Sequence, residues 1–354
     1  MISDLHVGTR LRRDLLRHPD AVRALAGALE GVDRLVLLGD TLELRDGPRP
    51  EVLEVAAPFL RAVGEAMRGG EVVLVPGNHD HGLAREALAG RSRRARRASL
   101  GLSERFAPTG PLARRIHALL GGELVLAYPG FDLAPGVWAT HGHYADAHSS
   151  ARSLETLLAA AGVLARPRLR SHGPRRPADY EAVLAPTYAL FEAIAQQRRL
   201  QAGADAGKRL VRAAEVRTGG RVGAGSPARR ATARDGAGRR LGALPGEWRR
   251  PGVRPLTRVL EQLEVEARTV VFGHTHRVGP VAGDPPAWTT AAGTVLVNTG
   301  SWVAEASPRP SSACAPPTGA AAYLPGAVTF FQNSDLAGVD WPAAASSRSK
   351  WSSV

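Results

Sequence analysis

An apolar run leads directly into a glycine and an aspartate at Leu35-Val36-Leu37-Leu38-Gly39-Asp40. Continuous runs of leucine and valine of this length are typical of strands buried on both faces. Stretches with apolar residues at helical spacing flank the run at residues 10–30 and 51–68, and both are followed by glycine, as helices often are. A strand between two such helices predicts an α/β fold.

Further short apolar runs predict the rest of the sheet. They lie at residues 72–75, 124–127, 137–140, 269–272 and 295–297. Residues 326–331 predict a final strand that returns to the core. The strand patterns therefore occupy the first and last parts of the chain.

Polar clusters follow most of these predicted strands. In an extended segment residues i and i+2 face the same side, so Asp4 and His6 can present a carboxylate and an imidazole to one point. Ligands of open α/β sheets bind beyond the carboxyl ends of the strands, where we expect all the clusters to converge. The five clusters are Asp4-Leu5-His6, Gly39-Asp40, Gly77-Asn78-His79-Asp80, His141-Gly142-His143 and Gly273-His274-Thr275-His276.

Each cluster alone has an ordinary structural explanation. Gly39-Asp40 is a common strand-to-loop turn, Asn78 is a common turn former, and His141 fits a hydrogen-bonded core histidine. Five such clusters in order, each beside a predicted strand, would require these explanations to coincide. We therefore favour a shared site.

The donor types indicate the chemistry of that site. Carboxylate, amide and imidazole donors without thiolate suit two divalent ions, of which Mn²⁺ is our first choice and Fe, Zn²⁺, Ni²⁺ or Mg²⁺ are alternatives. The donors are too many for one catalytic zinc with an open position. Two ions about 3.5–4 Å apart clamp the attacking and leaving oxygens of an in-line displacement and generate hydroxide near neutral pH. The candidate metal ligands are Asp4, His6, Asp40, Asn78, His141, His274 and His276.

The ordered set of clusters resembles the calcineurin-like metallophosphoesterase superfamily. The resemblance covers roughly residues 1–144 and 268–302. It implies two β-sheets flanked by helices, a dinuclear metal centre and hydrolysis of a phosphodiester, pyrophosphate or phosphomonoester by in-line attack of a metal-bound hydroxide. The protein is thus expected to be a hydrolase with a small phosphorylated substrate.

The resemblance also implies a role for individual residues. Asp4, His6 and His276 would hold one ion, and Asn78, His141 and His274 the other, with Asp40 as the bridge. The catalytic candidates are His79 and Glu43. His79 would contact the phosphate and protonate the leaving alkoxide, as an imidazolium can near neutral pH, and Glu43 would orient it.

Two features of the sequence depart from the family pattern, and one of them indicates which branch of the family the sequence resembles. Leu44 occupies the position where phosphoprotein phosphatases place an arginine, which argues against a protein Ser/Thr phosphatase. The clusters are more similar to the bacterial branch that includes UDP-diacylglucosamine pyrophosphohydrolases and assorted phosphodiesterases. Only Met1-Ile2-Ser3 precede Asp4, so we expect a short first strand or a start farther upstream.

The middle of the chain has a different pattern. Helical periodicity replaces the strand pattern at residues 153–164, 179–201 and 205–217. We predict a metallophosphoesterase core at residues 1–144 and 256–335, and a helical insertion at 145–255 with a disordered Arg/Gly-rich loop at 218–255. Residues 336–354 are expected to be a disordered tail. The insertion would form a lid that selects the substrate.

The formal net charge of +13 is concentrated in two segments. Residues 91–97 contain five arginines and no acid, and residues 218–255 contain nine arginines against Asp235 and Glu247. Solvated loops explain these segments as well as attraction of phosphate does. A nuclease of the same superfamily is the alternative enzyme, and steep loss of binding with salt would favour it. A non-catalytic scaffold that binds through the insertion is a third interpretation, which the complete donor set argues against.

The cysteine count and hydropathy exclude other classes. The single Cys314 cannot form an intramolecular disulfide or a cysteine-based zinc site. No apolar run reaches the ~18 residues of a membrane span, and the first residues lack a signal-peptide pattern. We predict a cytoplasmic protein without a transmembrane segment. Peripheral membrane contact through residues 154–164 is an alternative to core packing of that stretch.

Overall fold

The computed structural model describes residues 1–92, 99–149, 154–197, 253–280, 288–303, 328–332 and 335–340. The predicted helix at 205–217, most of both arginine-rich segments and the tail beyond residue 340 lie outside these ranges. Within them, no helix has both the length and the apolar character needed to cross a membrane.

Strands and helices alternate through the first part of the chain, as predicted. The strands there are β1 (Arg34–Leu38), β2 (Glu71–Val75), β3 (Ser103–Phe106), β4 (Glu123–Ala134) and β5 (Val137–Thr140). A short 3₁₀ helix at Leu15–Arg17 precedes the α-helices α1 (Pro19–Ala28), α2 (Arg49–Ala66), α3 (Gly82–Ala89) and α4 (Pro111–Leu120). β3 and α3 are not among the predicted elements, because these short segments carry no long apolar run.

Helices dominate the next part of the chain, and strands return after it. The helices are a 3₁₀ helix (His143–His148), α5 (Leu154–Leu164), α6 (Pro167–His172), α7 (Pro177–Gln196) and α8 (Val253–Gln262). The strands are β6 (Thr269–Phe272), β7 (Val278–Gly279), β8 (Val295–Thr299), β9 (Val328–Gln332) and β10 (Asp335–Asp340). α5 and α7 correspond to two of the predicted helices.

β4 joins the two halves of the main sheet. The strand order is β1-β2-β4-β5-β6-β8-β7, with β3 also paired to β4. The first residues of β4 pair with β2 in parallel, and from Gly130 onward β4 pairs antiparallel with β5. The two predicted sheets are therefore continuous through this one long strand.

Alternate residues of β1 face different layers, as the side-chain period of a strand requires. Leu35 and Leu37 belong to an apolar cluster shared with α1, α2 and α4. Val36 and Leu38 belong to a cluster shared with β5, β6 and β8 of the other half. Strand residues thus fill the space between the two halves, and helices cover the outside of the first.

The second half is covered by the helices that follow β5. Val270 and Phe272 of β6 lie in a cluster with residues of α5, α6, α7 and α8, whereas Val271 between them faces the first half. This mixed sheet with flanking helices confirms the α/β class and the layered arrangement that the resemblance implies.

The chain end differs from the expectation. Residues 328–332 form a strand as predicted, but β9 pairs antiparallel with β10 rather than with the main sheet. β10 covers Asp335–Asp340, so the first residues of the predicted disordered tail are in a strand. The error has a physical reason. The short apolar segments Thr329-Phe330-Phe331 and Leu336–Val339 are separated only by the four polar residues 332–335, a pattern typical of a hairpin.

A buried carboxylate attaches α7 to the first layer of helices. Glu192 accepts hydrogen bonds from Arg49 Nε at 2.8 Å and from Arg85 Nη2 at 3.0 Å. Arg49 Nη1 also donates to Glu86 at 2.7 Å. The Glu192 side chain is only 6% exposed, so its charge depends on both arginines. This contact connects the helical segment to the side of the molecule that carries β1 and β2.

We expect Glu192→Gln to lower the free energy of unfolding by about 1–3 kcal/mol, since hydrogen bonds to a charged group are lost in a buried position. Urea unfolding measures the change. Glu65→Gln is the matched control, because its partner Arg68 and Glu65 itself are both highly exposed and such pairs contribute little. Equal effects of the two substitutions would contradict the role given to Glu192.

Candidate metal centre

The polar clusters meet at the carboxyl ends of the central strands. Gly39-Asp40 follows β1, His141 follows β5, and Gly273 follows β6. The first cluster reaches the same edge because Ile2 forms a parallel bridge with Leu37 of β1. The short predicted first strand is thus a single bridged residue beside β1.

Five of the candidate ligands have left-handed backbone conformations. Such a φ is uncommon outside glycine and persists only where the surrounding structure holds it, most often at functional sites. Hydrogen bonds between clusters supply that support: Asp4 N donates to Gly39 O at 3.1 Å, and His274 N donates to both carboxylate oxygens of Asp4 at 3.0 Å. The five φ angles are 53° at Asp4, 45° at His6, 50° at Asp40, 67° at His274 and 58° at His276.

Two glycines allow the clusters to approach one another. Gly39 has a φ of 82°, and a Cβ at that position would overlap the ring of His141. A Cβ at Gly77 would overlap Asp40 Oδ1 and lie 2.7 Å from both the Asp40 amide nitrogen and His141 Cδ2. Any larger residue would therefore push these donors apart.

One group of donors consists of Asp4, His6 and His276. His276 Nε2 lies 3.4 Å from Asp4 Oδ1 and 3.0 Å from His6 Nε2. These ligand atoms lie within 4.8 Å of one another, close enough to share one metal ion.

A second group consists of Asn78, His141 and His274. The Asn78 side-chain amide lies 3.2 Å from His141 Nε2 and 3.2 Å from His274 Nδ1. Asp40 lies between the groups, with Oδ2 at 3.3 Å from His141 Nε2 and 3.6 Å from His6 Nε2. All seven predicted ligands are therefore brought together, in the two sets that the resemblance implies.

The lone pairs of the neutral histidines point into these groups. His141 Nδ1 lies 3.0 Å from Leu38 O and must carry the proton, which leaves the lone pair of Nε2 facing the Asp40 carboxylate. His6 Nδ1 donates to Glu43 at 2.9 Å, which leaves its Nε2 facing His276. A lone pair that faces another acceptor needs either a proton or a metal ion between the two atoms. The donor set therefore fits divalent metal ions.

The pKa shifts of the buried histidines and of Asp40 also indicate a site that binds cations. Burial opposes a charged ring, yet Asp40 and Asp4 raise the pKa of His141 to about 10. Burial also opposes charge on His6, but Glu43, Asp40 and Asp4 raise its pKa to about 9. Burial disfavours the Asp40 carboxylate as well, while the surrounding histidines keep its pKa well below the usual value. The cluster thus requires positive charge at its centre.

Glu43 is shared by two histidines. Its carboxylate accepts from His79 Nδ1 at 2.8 Å as well as from His6 Nδ1. His79 Nε2 is then the nitrogen that remains for the crevice, and it lies 4.0 Å from Asp40 Oδ2. The backbone nitrogen of His79 also donates to Asp40 Oδ1 at 2.8 Å. His79 and Glu43 therefore lie where a proton donor and its orienting acid are expected.

Asp146 is a site residue that the sequence reasoning missed. Its Oδ1 accepts from His274 Nε2 at 2.8 Å, which directs Nδ1 of that ring toward Asn78. Tyr188 of α7 donates to Asp146 Oδ2 at 3.3 Å. A carboxylate behind a metal-binding histidine sets its tautomer and orientation. Proximity to the fourth cluster was the only sequence signal for this role.

Other histidines near the clusters have different partners. His81 is buried and its Nε2 lies 2.9 Å from Glu181 of α7. His143 Nε2 lies 3.1 Å from the hydroxyl of Tyr128, so His143 does not replace His141 in the donor set. His148 pairs with Tyr180. These side chains connect the core to the following helices.

We expect Gly77→Ala to reduce bound Mn²⁺ per chain at least tenfold, because the added Cβ displaces Asp40 from between the two donor groups. Elemental analysis of desalted protein measures the metal, and circular dichroism verifies the fold. Gly27→Ala on α1 is the control, since a Cβ there meets no atom within 4 Å. Full metal content in Gly77→Ala would show that this close approach is not required.

A model of the family described as calcineurin-like phosphoesterase matches residues 1–176. The matched segment contains β1 to β5 and five of the seven candidate ligands; the geometry adds His274 and His276 from outside it. A comparison with curated proteins finds no match. The motifs, the layered fold and the family match agree, and the chain belongs to the calcineurin-like phosphoesterase family.

Proposed function

We propose that this protein hydrolyses a phosphate ester at a centre of two divalent metal ions. Family membership makes it a hydrolase, and the observation that supports the dinuclear centre is the position of Asp40 Oδ2 between two groups of histidines. Asp4, His6 and His276 are the ligands of one ion, and Asn78, His141 and His274 those of the other, with Asp40 shared. Bound ions supply the activated water and neutralise charge on the phosphate.

The protein's own groups orient the ligands and move a proton. Glu43 and Asp146 each accept a hydrogen bond from a ligand histidine, which keeps the opposite ring nitrogen directed at the centre. His79 is partly exposed, with its Nδ1 held by Glu43. Its Nε2 donates a proton to the leaving alkoxide oxygen, and the Glu43 carboxylate stabilises the charged ring before that transfer.

The substrate is a phosphomonoester, a phosphodiester or a pyrophosphate, and the branch similar to UDP-diacylglucosamine pyrophosphohydrolases remains a prediction. Mn²⁺ is our first choice for the ions because the donors are oxygen and nitrogen. A cytoplasmic location also remains a prediction, as does the lid role of the helical insertion. α5 buries Ala159 in the apolar cluster beneath it, whereas Leu157 and Leu164 are exposed, so peripheral membrane contact stays an alternative to core packing of this helix.

Purified protein is expected to hydrolyse a chromogenic phosphate ester with Mn²⁺ present, and to lose this activity in EDTA, because the nucleophile depends on the ions. Adding excess Mn²⁺ back should restore it. A panel of mononucleotides, cyclic nucleotides, bis-ester dyes, sugar-nucleotide lipids and DNA, scored by product, distinguishes a small-substrate esterase from a nuclease. Hydrolysis that persists unchanged in EDTA would refute metal dependence.

Two substitutions separate metal binding from proton transfer. Asp40→Asn should weaken binding of both ions, since one oxygen serves both groups. His79→Ala should retain the ions but lower kcat by roughly 10²–10⁴-fold, the usual contribution of general acid catalysis. Metal content and kcat are measured together, with His117→Ala on the exposed face of α4 as the control. Full activity in Asp40→Asn would refute the bridging role.

A further inference from the structure

Glu181 of α7 accepts hydrogen bonds from three separate parts of the core. Its Oε1 accepts from the hydroxyls of Tyr128 at 2.5 Å and Tyr144 at 2.7 Å, and its Oε2 accepts from His81 Nε2 at 2.9 Å. All three partners are buried, and the Glu181 side chain is 14% exposed. Burial opposes its charge, but His81 and the donated hydrogen bonds lower the pKa of Glu181. Both oxygens of one ionised carboxylate are therefore engaged beneath the helical segment.

Two of these partners lie next to ligands of the second donor group. His81 follows Asn78 by three residues, in the loop after β2. Tyr144 follows His141 by three residues, in the 3₁₀ helix after β5. Glu181 therefore links the two loops that supply Asn78 and His141 to the same metal site.

Tyr128 of β4 completes this link. A tyrosine hydroxyl has a single hydrogen, which Tyr128 gives to Glu181. Its oxygen is left to accept from His143 Nε2, which lies 3.1 Å away. The carboxylate thus holds the loop after β5 both directly, through Tyr144, and through Tyr128.

Other residues of α7 reach the second group through one intermediate. Tyr188 contacts Asp146, which accepts a hydrogen bond from His274. The ring centroid of Phe191 lies 4.6 Å from the guanidinium carbon of Arg45, whose Nη1 is 3.1 Å from the side-chain amide of the second group. Every ligand of this group is therefore connected to α7.

The first group takes its support from other elements. The backbone oxygen of Asp4 accepts from Trp302 N at 3.0 Å, in the loop after β8. His6 is held by Glu43, in the loop after β1. The two donor groups thus depend on different parts of the fold.

We propose that Glu181 is a positioning residue for the ion of the second group, so that the helical segment sets the affinity of one metal site and not of the other. The inference rests on the proposed function and deepens it. The site can close on an ion only while the loops after β2 and β5 keep their separation, and Glu181 fixes that separation with a single rigid carboxylate. Hydrogen bonds to a charged, buried acceptor are among the strongest that proteins make.

Titration calorimetry of metal-free protein with Mn²⁺ measures both affinities, and the wild type is expected to bind two ions per chain. Glu181→Gln should raise the Kd of one ion about tenfold, the lower end of the usual effect of residues behind metal ligands, and leave the other unchanged. The amide replaces one acceptor oxygen with an NH₂ donor, so one of the three partners loses its acceptor. Circular dichroism verifies the fold.

Tyr144→Phe is a second variant, which decides the question if Glu181→Gln does not fold. It removes one donor to Glu181 and keeps the ring in place. We expect it to weaken the same ion by a smaller factor. Unchanged affinity for both ions in Tyr144→Phe would contradict a link through this carboxylate.

Glu192→Gln is the matched control, because it makes the same change at another buried carboxylate of α7. The partners of Glu192 are Arg49 and Arg85, so both Mn²⁺ affinities should stay unchanged although the protein is less stable. Weakening of an ion by this control would show that loosening α7 at any point is sufficient. That result would overturn the specific role of Glu181.

Asn78→Ala identifies which ion is affected, since it removes a ligand of the second site. In that background Glu181→Gln should cause no further weakening, because residues that act on one site are not additive. A further loss would place the effect at the first ion and overturn the inference. Equal affinities of wild type and Glu181→Gln, or equal weakening of both ions, would also overturn it while the proposed function stands. Wild-type protein that binds fewer than two ions would refute the dinuclear centre and the inference with it.

Discussion

The Asp40 carboxylate has to serve two groups of histidines with a single oxygen. Oδ2 lies between His141 and His6, while Oδ1 accepts a hydrogen bond from the backbone of His79. This arrangement is compact enough that Gly77 cannot carry a side chain beside it. This constraint determines where the other clusters lie. Each cluster has to place a donor atom within a few ångströms of Asp40, although the clusters follow different strands.

The centre also depends on carboxylates that do not face it. Glu43 holds His6 and His79, and Asp146 holds His274, each through the ring nitrogen directed away from the donor groups. A histidine presents a lone pair in a defined direction only when its other nitrogen is bonded. Tyr188 in turn contacts Asp146, so the helices after β5 influence the orientation of His274, a proposed ligand in the loop after β6.

Sequence reasoning identified what is local and missed what depends on folding. Asp4 and His6 could be paired because they are two residues apart, although their backbone is left-handed and not extended as predicted. Gly39-Asp40 could be placed because an apolar strand precedes it. Asp146 and Arg45 carry no motif, since their partners are distant in the chain. The predicted tail was wrong at residues 336–340, where pairing with β9 gives a strand that this short segment does not indicate alone.

The sequence by itself determined the α/β class, the donor types and the order of the clusters along the chain, because strand periodicity and ligand chemistry are properties of neighbouring residues. The family match agrees with that order. Only the tertiary structure decided the distances at which Asp40 lies from the two donor groups, that Glu43 serves His6 as well as His79, and that Phe191 reaches Arg45. These contacts join residues from separate strands and helices, and their distances are set by how the layers pack, which no local pattern specifies.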